Sequence, residues 1–357
     1  MNKPDLELLV KTVRRAGEIA RSYFLKGGAK SWDKGGDHPV TEADIAVNDY
    51  LQSKLMGARP NYGWLSEETK DDDSHRHARR SFVIDPIDGT RAFMDAKPHF
   101  TIVASVIEKT KPVVGVVYNP ITEEMYWACK GAGAFLNGAP ISPSKCACID
   151  GCSMIGYPRK FKRLGWPEMR VSIRNSMAYR IAMVAAGQRD AALAFTPKSD
   201  WDLAAATLIA EEAGAIITDI TGMAFEFASG NLRKNGVICA GPNLHPLLLD
   251  CVKQTLKTEQ GSEIKTSLET KMSDHAQEKS GPNQLLHIVF GGEMVDPNKT
   301  EFYDLSKMEF VGAYPNYKEA HKAWKDAAQR TVDNAHMRYF ILHAHHLIDP
   351  DNDGFIG

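Results

Sequence analysis

The chain lacks long apolar runs, a dominant charge and metal-binding thiol patterns, and each shortage excludes a class of function. No segment of its 357 residues approaches the roughly 20 consecutive apolar residues of a membrane helix, so no integral membrane association is expected. The N-terminal segment interleaves Lys3, Lys11, Arg14, Arg15 and Arg21 with apolar positions, unlike the unbroken apolar stretch of an export signal, so a cytoplasmic location is expected. Lysine and arginine number 43 against 45 aspartate and glutamate, which leaves no long-range field to gather a nucleic acid polymer. An anionic ligand must therefore be captured locally. The cysteines Cys129, Cys146, Cys148, Cys152, Cys239 and Cys251 are expected as free thiols in a reducing compartment. Cys146, Cys148 and Cys152 have no second ligand pair and do not read as a zinc site. Asp349, Asp351, Asp353 and Gly354 open like a calcium loop, but the sequence stops before the closing glutamate. The stretch GAGAFLNG lacks the strand-to-helix setting of a dinucleotide fingerprint and predicts a hairpin. His343 and His345 share a face of a last strand, where a sheet or interface role is expected.

What is present is patterned. Leu6, Leu9, Val10, Val13, Ala16, Ala20 and Phe24 recur at helical spacing and predict an amphipathic opening helix, and Glu42 to Leu55 repeats the pattern. Between Ser81 and Pro143 the runs SFVID, FTIVASVIE, PVVGVVYNP and EMYWACKG, bounded by turn residues, predict an antiparallel sheet. Helical periodicity returns at Ser176 to Gly187 and at Asp202 to Ala213, the latter closed by Gly214, with strands AIITD and NGVICAG after it. Residues 257–283 have little apolar content and no period, which predicts a flexible linker between a domain of residues 1–256 and a small α+β domain of residues 284–357. The latter predicts a ββαβ unit from LLHIVFGGEM, KMEFVGAYP, NYKEAHKAWKDAAQRT and MRYFILHAHHLI.

Carboxylates gather where a strand ends. In FVIDPIDGTRAF, Asp85 and Asp88 flank a proline turn able to aim both side chains and the Ile87 carbonyl at one point. Such crowding of anions is costly unless cations neutralise it, and oxygen donors without histidine or cysteine favour magnesium over zinc. The amides of Gly89 and Thr90 would suit a phosphate. Alone, this turn reads better as an acidic surface turn capping a helix. WLSEET adds Glu67 and Glu68 after an apolar approach, and SDWDLAAATLIAEEAG adds Asp202 at a helix start.

In the order SEE, DPIDGT, WD these segments resemble the inositol monophosphatase superfamily along nearly all of residues 5 to 250, and HPVTEADIAVN matches a fourth feature of that family. The resemblance implies a layered α/β/α/β/α sandwich with the site between its halves. It implies magnesium, as two or three ions, with Glu67, Asp85 and the Ile87 carbonyl holding the first and Asp85, Asp88 and Asp202 the second. Glu68 would be a supporting carboxylate, Gly89 and Thr90 would donate to the phosphate, and Asp44 with Thr90 would activate the attacking water. Inhibition by lithium is implied as well. The C-terminal unit resembles small uncharacterised domains of alphaproteobacteria that carry no established activity.

Specificity turns on the stretch AFTPKSDWD. Inositol monophosphatases have a hydroxyl-binding glutamate seven residues before the aspartate of WD, where this chain has Phe195, whereas bacterial 3'(2'),5'-bisphosphate nucleotidases have an aromatic and a nearby proline, matched here by Phe195 and Pro197. The family's Gly-Ser-Ser becomes RNSMAY, so Asn175 replaces the glycine while Ser176, expected to touch substrate, is kept. DPIDGTRAF also resembles the histidinol-phosphate phosphatases of the superfamily. The reading favours the 3'-phosphate of adenosine 3',5'-bisphosphate, with inositol or histidinol phosphates as the alternatives. A non-catalytic phospholigand-binding regulator is the rival of another class, and its signature, loss of a ligand, is absent from this sequence. Homo-oligomerisation is compatible with everything above.

Overall fold

The structure, a computed structural model, describes residues 2–26, 29–33, 39–256, 287–295, 302–331, 334 and 336–343. Two compact units, residues 1–264 and 265–357, divide the chain within the segment expected as a linker. The stretch 257–283, the acidic tail from Asp349 and the residues His345 and His346 lie outside the described residues.

In the first unit, strand alternation sorts the apolar residues into layers. Helices Lys3–Leu25 and Glu42–Ala58 bury Leu9, Val13, Ala16, Val47, Leu51 and Leu55 against Phe82, Ile84, Ile102, Val114 and Val116. Those last residues belong to a seven-stranded sheet, ordered Gly63–Ser66, Arg80–Asp88, Thr101–Glu108, Lys111–Asn119, Glu124–Cys129, Ala134–Leu136, Ala139–Pro140. Their neighbours Val83, Val103 and Val117 point the opposite way, as a period of two requires, onto helices Met177–Ala185 and Asp200–Ala213. These helices also meet Ala192, Ala194, Val237 and Cys239 of a second sheet, ordered Arg170–Ser172, Ser153–Ile155, Ala191–Ala194, Val237–Ala240, Ile216–Thr218. The other face of that sheet, Ala191, Leu193, Ile238 and Ala240, packs on Leu248 and Val252 of a helix at 245–256. Five layers result, α/β/α/β/α.

Three details differ from the sequence expectation. The first sheet is not wholly antiparallel, because Gly63–Ser66 pairs parallel to Arg80–Asp88. That strand does not stop at Asp85: it runs through the proline turn to Asp88, with its register against the next strand shifting between the two aspartates. The Asp202 helix begins two residues early, at Asp200, with Ser199 as its cap, while Gly214 closes it at φ 91° as expected. GAGAFLNG does form a hairpin, its Ala134–Leu136 and Ala139–Pro140 strands joined through Asn137 and Gly138 at positive φ.

The Asp202 helix sits hard against the first sheet. A Cβ on Gly115 would lie 2.6 Å from the Ala205 carbonyl oxygen, so only glycine lets the helix approach this closely. The position of Asp202 relative to Asp85 therefore depends on a residue with no polar chemistry.

In the second unit, strands Glu309–Tyr314 and Met337–His343 flank His287–Glu293, both antiparallel, and helix Tyr317–Arg330 follows the second strand in sequence. Asn316 caps this helix by accepting the Glu319 amide, and the Trp324 indole donates to the Tyr339 carbonyl at 2.8 Å. The ββαβ order is the expected one.

Candidate metal centre

The centre assembles from four elements. Glu67 follows the end of strand Gly63–Ser66, Asp85 and Asp88 end strand Arg80–Asp88, Asp202 lies in the first turn of helix Asp200–Ala213, and Asp44 in the first turn of helix Glu42–Ala58. Glu67, Asp85 and Asp202 each offer a carboxylate oxygen, and these oxygens lie within 4.8 Å of one another. It is the one such cluster of potential metal ligands among the described residues.

Asp85, Asp88 and Asp202 are each held through one oxygen, which leaves the other for a ligand. Asp85 Oδ1 accepts the Ile87 amide at 3.1 Å, and Asp202 Oδ2 accepts the Ser199 amide at 2.9 Å in a capping box. Asp88 Oδ2 accepts the Ser176 hydroxyl at 2.6 Å and the Ala178 amide at 2.7 Å. Asp44 Oδ2 accepts the Thr41 amide at 2.8 Å and hydroxyl at 2.5 Å in a second capping box. Its Oδ1 faces Thr90, whose hydroxyl lies 3.3 Å from it and 3.2 Å from the Ile87 carbonyl oxygen. Thr90 has a single hydroxyl proton for these two acceptors, so it can donate to one while its own lone pairs stay available.

Electrostatics mark the centre as built for cations. Burial first, then the charges of Glu67, Asp88 and Asp202, hold Asp85 well above the usual carboxylate range. Burial and the Asp88 charge push Asp202 up to about 7. Asp44 rises to about 6, chiefly through burial, against the hydrogen bonds from Thr41. Burial raises Asp88 too, opposed by its bonds to Ser176 and the helix amides. The donors are all oxygen and mutually repelling, which suits a hard divalent cation.

Glu68 lies close enough for its charge to act on Asp44. Gly89 occupies φ 100° at the turn into helix Thr90–Met94, and a Cβ there would stand 2.9 Å from the His99 carbonyl oxygen and 3.0 Å from the Ser176 amide nitrogen. We expect Gly89→Ala to cost about 1–3 kcal/mol of backbone strain and to lower kcat at least about tenfold. A melting curve and a turnover assay on the variant check it, and unchanged values in both would refute the tightness of this turn.

Ser176 takes a different place from the expected one. It is fully buried, and its hydroxyl donates to Asp88 while accepting from the Tyr179 amide at 2.9 Å and meeting Thr101 at 2.9 Å. Hence it orients Asp88 instead of facing a substrate. Phe195 is half-buried at the end of strand Ala191–Ala194, with the Lys160 ammonium 4.2 Å from its ring centroid and Trp166 meeting it edge-on at 6.3 Å.

The sequence reading missed Asn48. Its side chain accepts from Ser66 at 2.7 Å and donates to Thr69 at 3.1 Å, bracketing the Glu67–Glu68 turn. A signal existed: Asn48 stands four residues after Asp44 on the same helix face. Lys198 was missed as well, and its charge acts on both Asp88 and Asp202.

Comparison with known proteins agrees with this geometry. Residues 1–257 match the inositol monophosphatase family, and residues 285–344 match a domain of unknown function, DUF4170. The Nus factor SuhB of Haemophilus influenzae is 30% identical over 274 residues, covering 72% of this chain and 98% of that protein. The inositol-1-monophosphatase of Rhizobium meliloti is 30% identical over 275 residues, covering 71% and 98%. The solved structure of the suppressor protein suhB from Bartonella henselae superposes with a TM-score of 0.62 at 26% identity, covering 70% of this chain and 98% of that one. With its family model spanning residues 1–257 and its carboxylates gathered at the strand and helix ends described above, the chain belongs to the inositol monophosphatase family.

Proposed function

We propose that the chain hydrolyses small phosphate monoesters with magnesium, and that the observation carrying this reading is the convergence of Glu67, Asp85 and Asp202 with one carboxylate oxygen each at a common point. Glu67, Asp85 and the Ile87 carbonyl would hold one ion, and Asp85, Asp88 and Asp202 another. Bound there, magnesium would supply Lewis-acid neutralisation of charge on the transferring phosphoryl group. The remaining work falls to the chain. Asp44 is held by Thr41, burial raises it to about 6 and so makes it more basic than an ordinary carboxylate, and Thr90 connects it to the Ile87 turn. Thr90 Oγ1 would accept a proton from the attacking water as its own passes to Asp44 Oδ1. Gly89 and Thr90 amides would orient the phosphate, and Glu68 would bias Asp44 through its charge. Magnesium-dependent phosphate release from a panel of monoesters tests this reading, and turnover undiminished in excess chelator would refute it.

For the leaving group, the proposal is a nucleotide, adenosine 3',5'-bisphosphate in preference to inositol 1-phosphate. Phe195 supports it: the ring offers a stacking face and no hydrogen bond, and its contacts with Lys160 and Trp166 keep it at the end of its strand. Base stacking on an aromatic contributes about 1–3 kcal/mol, comparable with the roughly 0.5–2 kcal/mol of a half-buried cation–π contact, so a base can compete with the lysine for the ring. We expect a higher kcat/KM for adenosine 3',5'-bisphosphate, by about tenfold, and Phe195→Glu should narrow or reverse the ratio. Side-by-side kinetics decide it; a preference of the unmutated protein for inositol 1-phosphate would end the nucleotide reading and leave the metal centre untouched.

A further inference from the structure

Three strands of the second sheet, Arg170–Ser172, Ser153–Ile155 and Ala191–Ala194, run parallel, so their C-terminal ends open on one edge. In open α/β sheets that edge is where ligands bind. Two of the loops leaving it feed the metal centre. One runs from Ile173 to Ser176, which grips Asp88, and the other from Phe195 to Ser199, which caps the helix of Asp202. The third loop leads through Tyr157 into the short helix Pro158–Arg163, and it is fastened to both of the others. Arg180 stacks its guanidinium 5.6 Å from the Tyr157 ring while donating to the Arg174 carbonyl at 2.6 Å, and Lys160 reaches across to Phe195.

The charge along this edge is lopsided. Between Gly151 and Arg189 there is one acidic residue, Glu168, against eight basic ones, in a chain whose net charge is −2. Arg174 acts on His99, whose carbonyl accepts the Ser176 amide, and Lys198 acts on Asp88 and Asp202. Lys160 is half-buried, and among the described residues no carboxylate pairs with it. Its ammonium rests on an aromatic face, a contact weak enough to be exchanged for an anion. Magnesium at the carboxylates would neutralise the scissile phosphate only, so a charge on the far side of the leaving group must find its partner elsewhere.

We propose that Lys160, parked on Phe195, binds a second anionic group carried by the leaving group, making this edge a subsite for doubly anionic esters. The proposal rests on the phosphatase reading and deepens it. Binding moves the ammonium off the ring toward the anion and frees the Phe195 face for a planar leaving group. Lys160 recognises the second group by its negative charge, and the assay supplies that group as a phosphate.

The test compares esters differing only in the second anion. With full-length protein and magnesium, kcat/KM is measured for adenosine 3',5'-bisphosphate and adenosine 3'-phosphate, and for inositol 1,4-bisphosphate and inositol 1-phosphate, in the unmutated chain and in Lys160→Ala. We expect the doubly anionic member of at least one pair to be favoured. Lys160→Ala should then lower its kcat/KM about tenfold through KM, while the partner lacking the second anion falls by no more than about twofold or rises as the Phe195 face is uncovered. Lys160→Arg, which keeps the charge, should restore most of the loss. Equal loss on both members of each pair, no loss, or no preference for the second anion overturns the subsite. If p-nitrophenyl phosphate is cleaved while all four esters are refused, the subsite is also overturned and the phosphatase reading survives; absence of magnesium-dependent turnover on every ester instead defeats the phosphatase reading itself.

Discussion

Asp85→Asn will reduce magnesium-dependent turnover by at least about 10³-fold, equivalent to about 4 kcal/mol of transition-state stabilisation, while making the metal-free protein more resistant to heat. The two effects have one cause. Asp85 is buried, and its charge opposes those of Glu67, Asp88 and Asp202. In the proposed centre it is the ligand shared by both ions. Asparagine keeps the carbonyl oxygen that accepts the Ile87 amide, so the turn survives, but the negative charge that would attract the cations is gone. Without metal, that same charge is a source of repulsion, and its loss stabilises. Phosphate release and melting curves in chelator read the two halves separately. Activity within tenfold of the unmutated protein would remove Asp85 from the centre, and a lower melting temperature in chelator would show that its charge is compensated by something other than metal.

The second large effect is a reversal of pH dependence by magnesium. Asp202 at about 7, Asp44 at about 6 and Asp85 well above its usual range are all raised in the folded chain. Between the unfolded carboxylate value near 4 and these raised values, the folded state holds more protons than the unfolded one, so stability falls as pH rises across that window. In chelator the melting temperature should therefore drop between about pH 4 and about pH 7. Magnesium binds the deprotonated ligands, so its stabilisation should be greatest at the alkaline end. A hundredfold excess over Kd contributes about 2.7 kcal/mol, or roughly 5–10 °C for a domain of this size. A melting temperature independent of pH in chelator, or a magnesium shift larger at the acidic end, would contradict the picture of uncompensated buried carboxylates.

Much of the fold follows from local patterns. The opening helix, the β-rich block from Ser81 and the closing glycine of the Asp202 helix follow from spacing alone, because a buried face imposes its period wherever it lies. The short strands Ser153–Ile155 and Ala191–Ala194 carried no comparable signal: residues buried on both faces of a sheet show no alternation, and an alanine-rich strand reads like a helix. The extension of strand Arg80–Asp88 through a proline was equally illegible, since it depends on a register shift against the neighbouring strand.

The sequence by itself determined which chemistry was on offer: oxygen ligands without histidine or cysteine, an acidic turn followed by Gly89 and Thr90, and an aromatic at Phe195. Those are properties of residue type and order, and they hold whatever the chain's path. Only the tertiary structure decided how each group is used. Asp88 loses one oxygen to Ser176 and Ala178 across a separation of about 90 residues, Thr90 is brought to Asp44 from another helix, and Lys160 comes to rest on Phe195 between two loops. A hydrogen bond or ring contact of this kind is satisfied by a partner's position in space, and nothing in the spacing along the chain reports which distant segment supplies that partner.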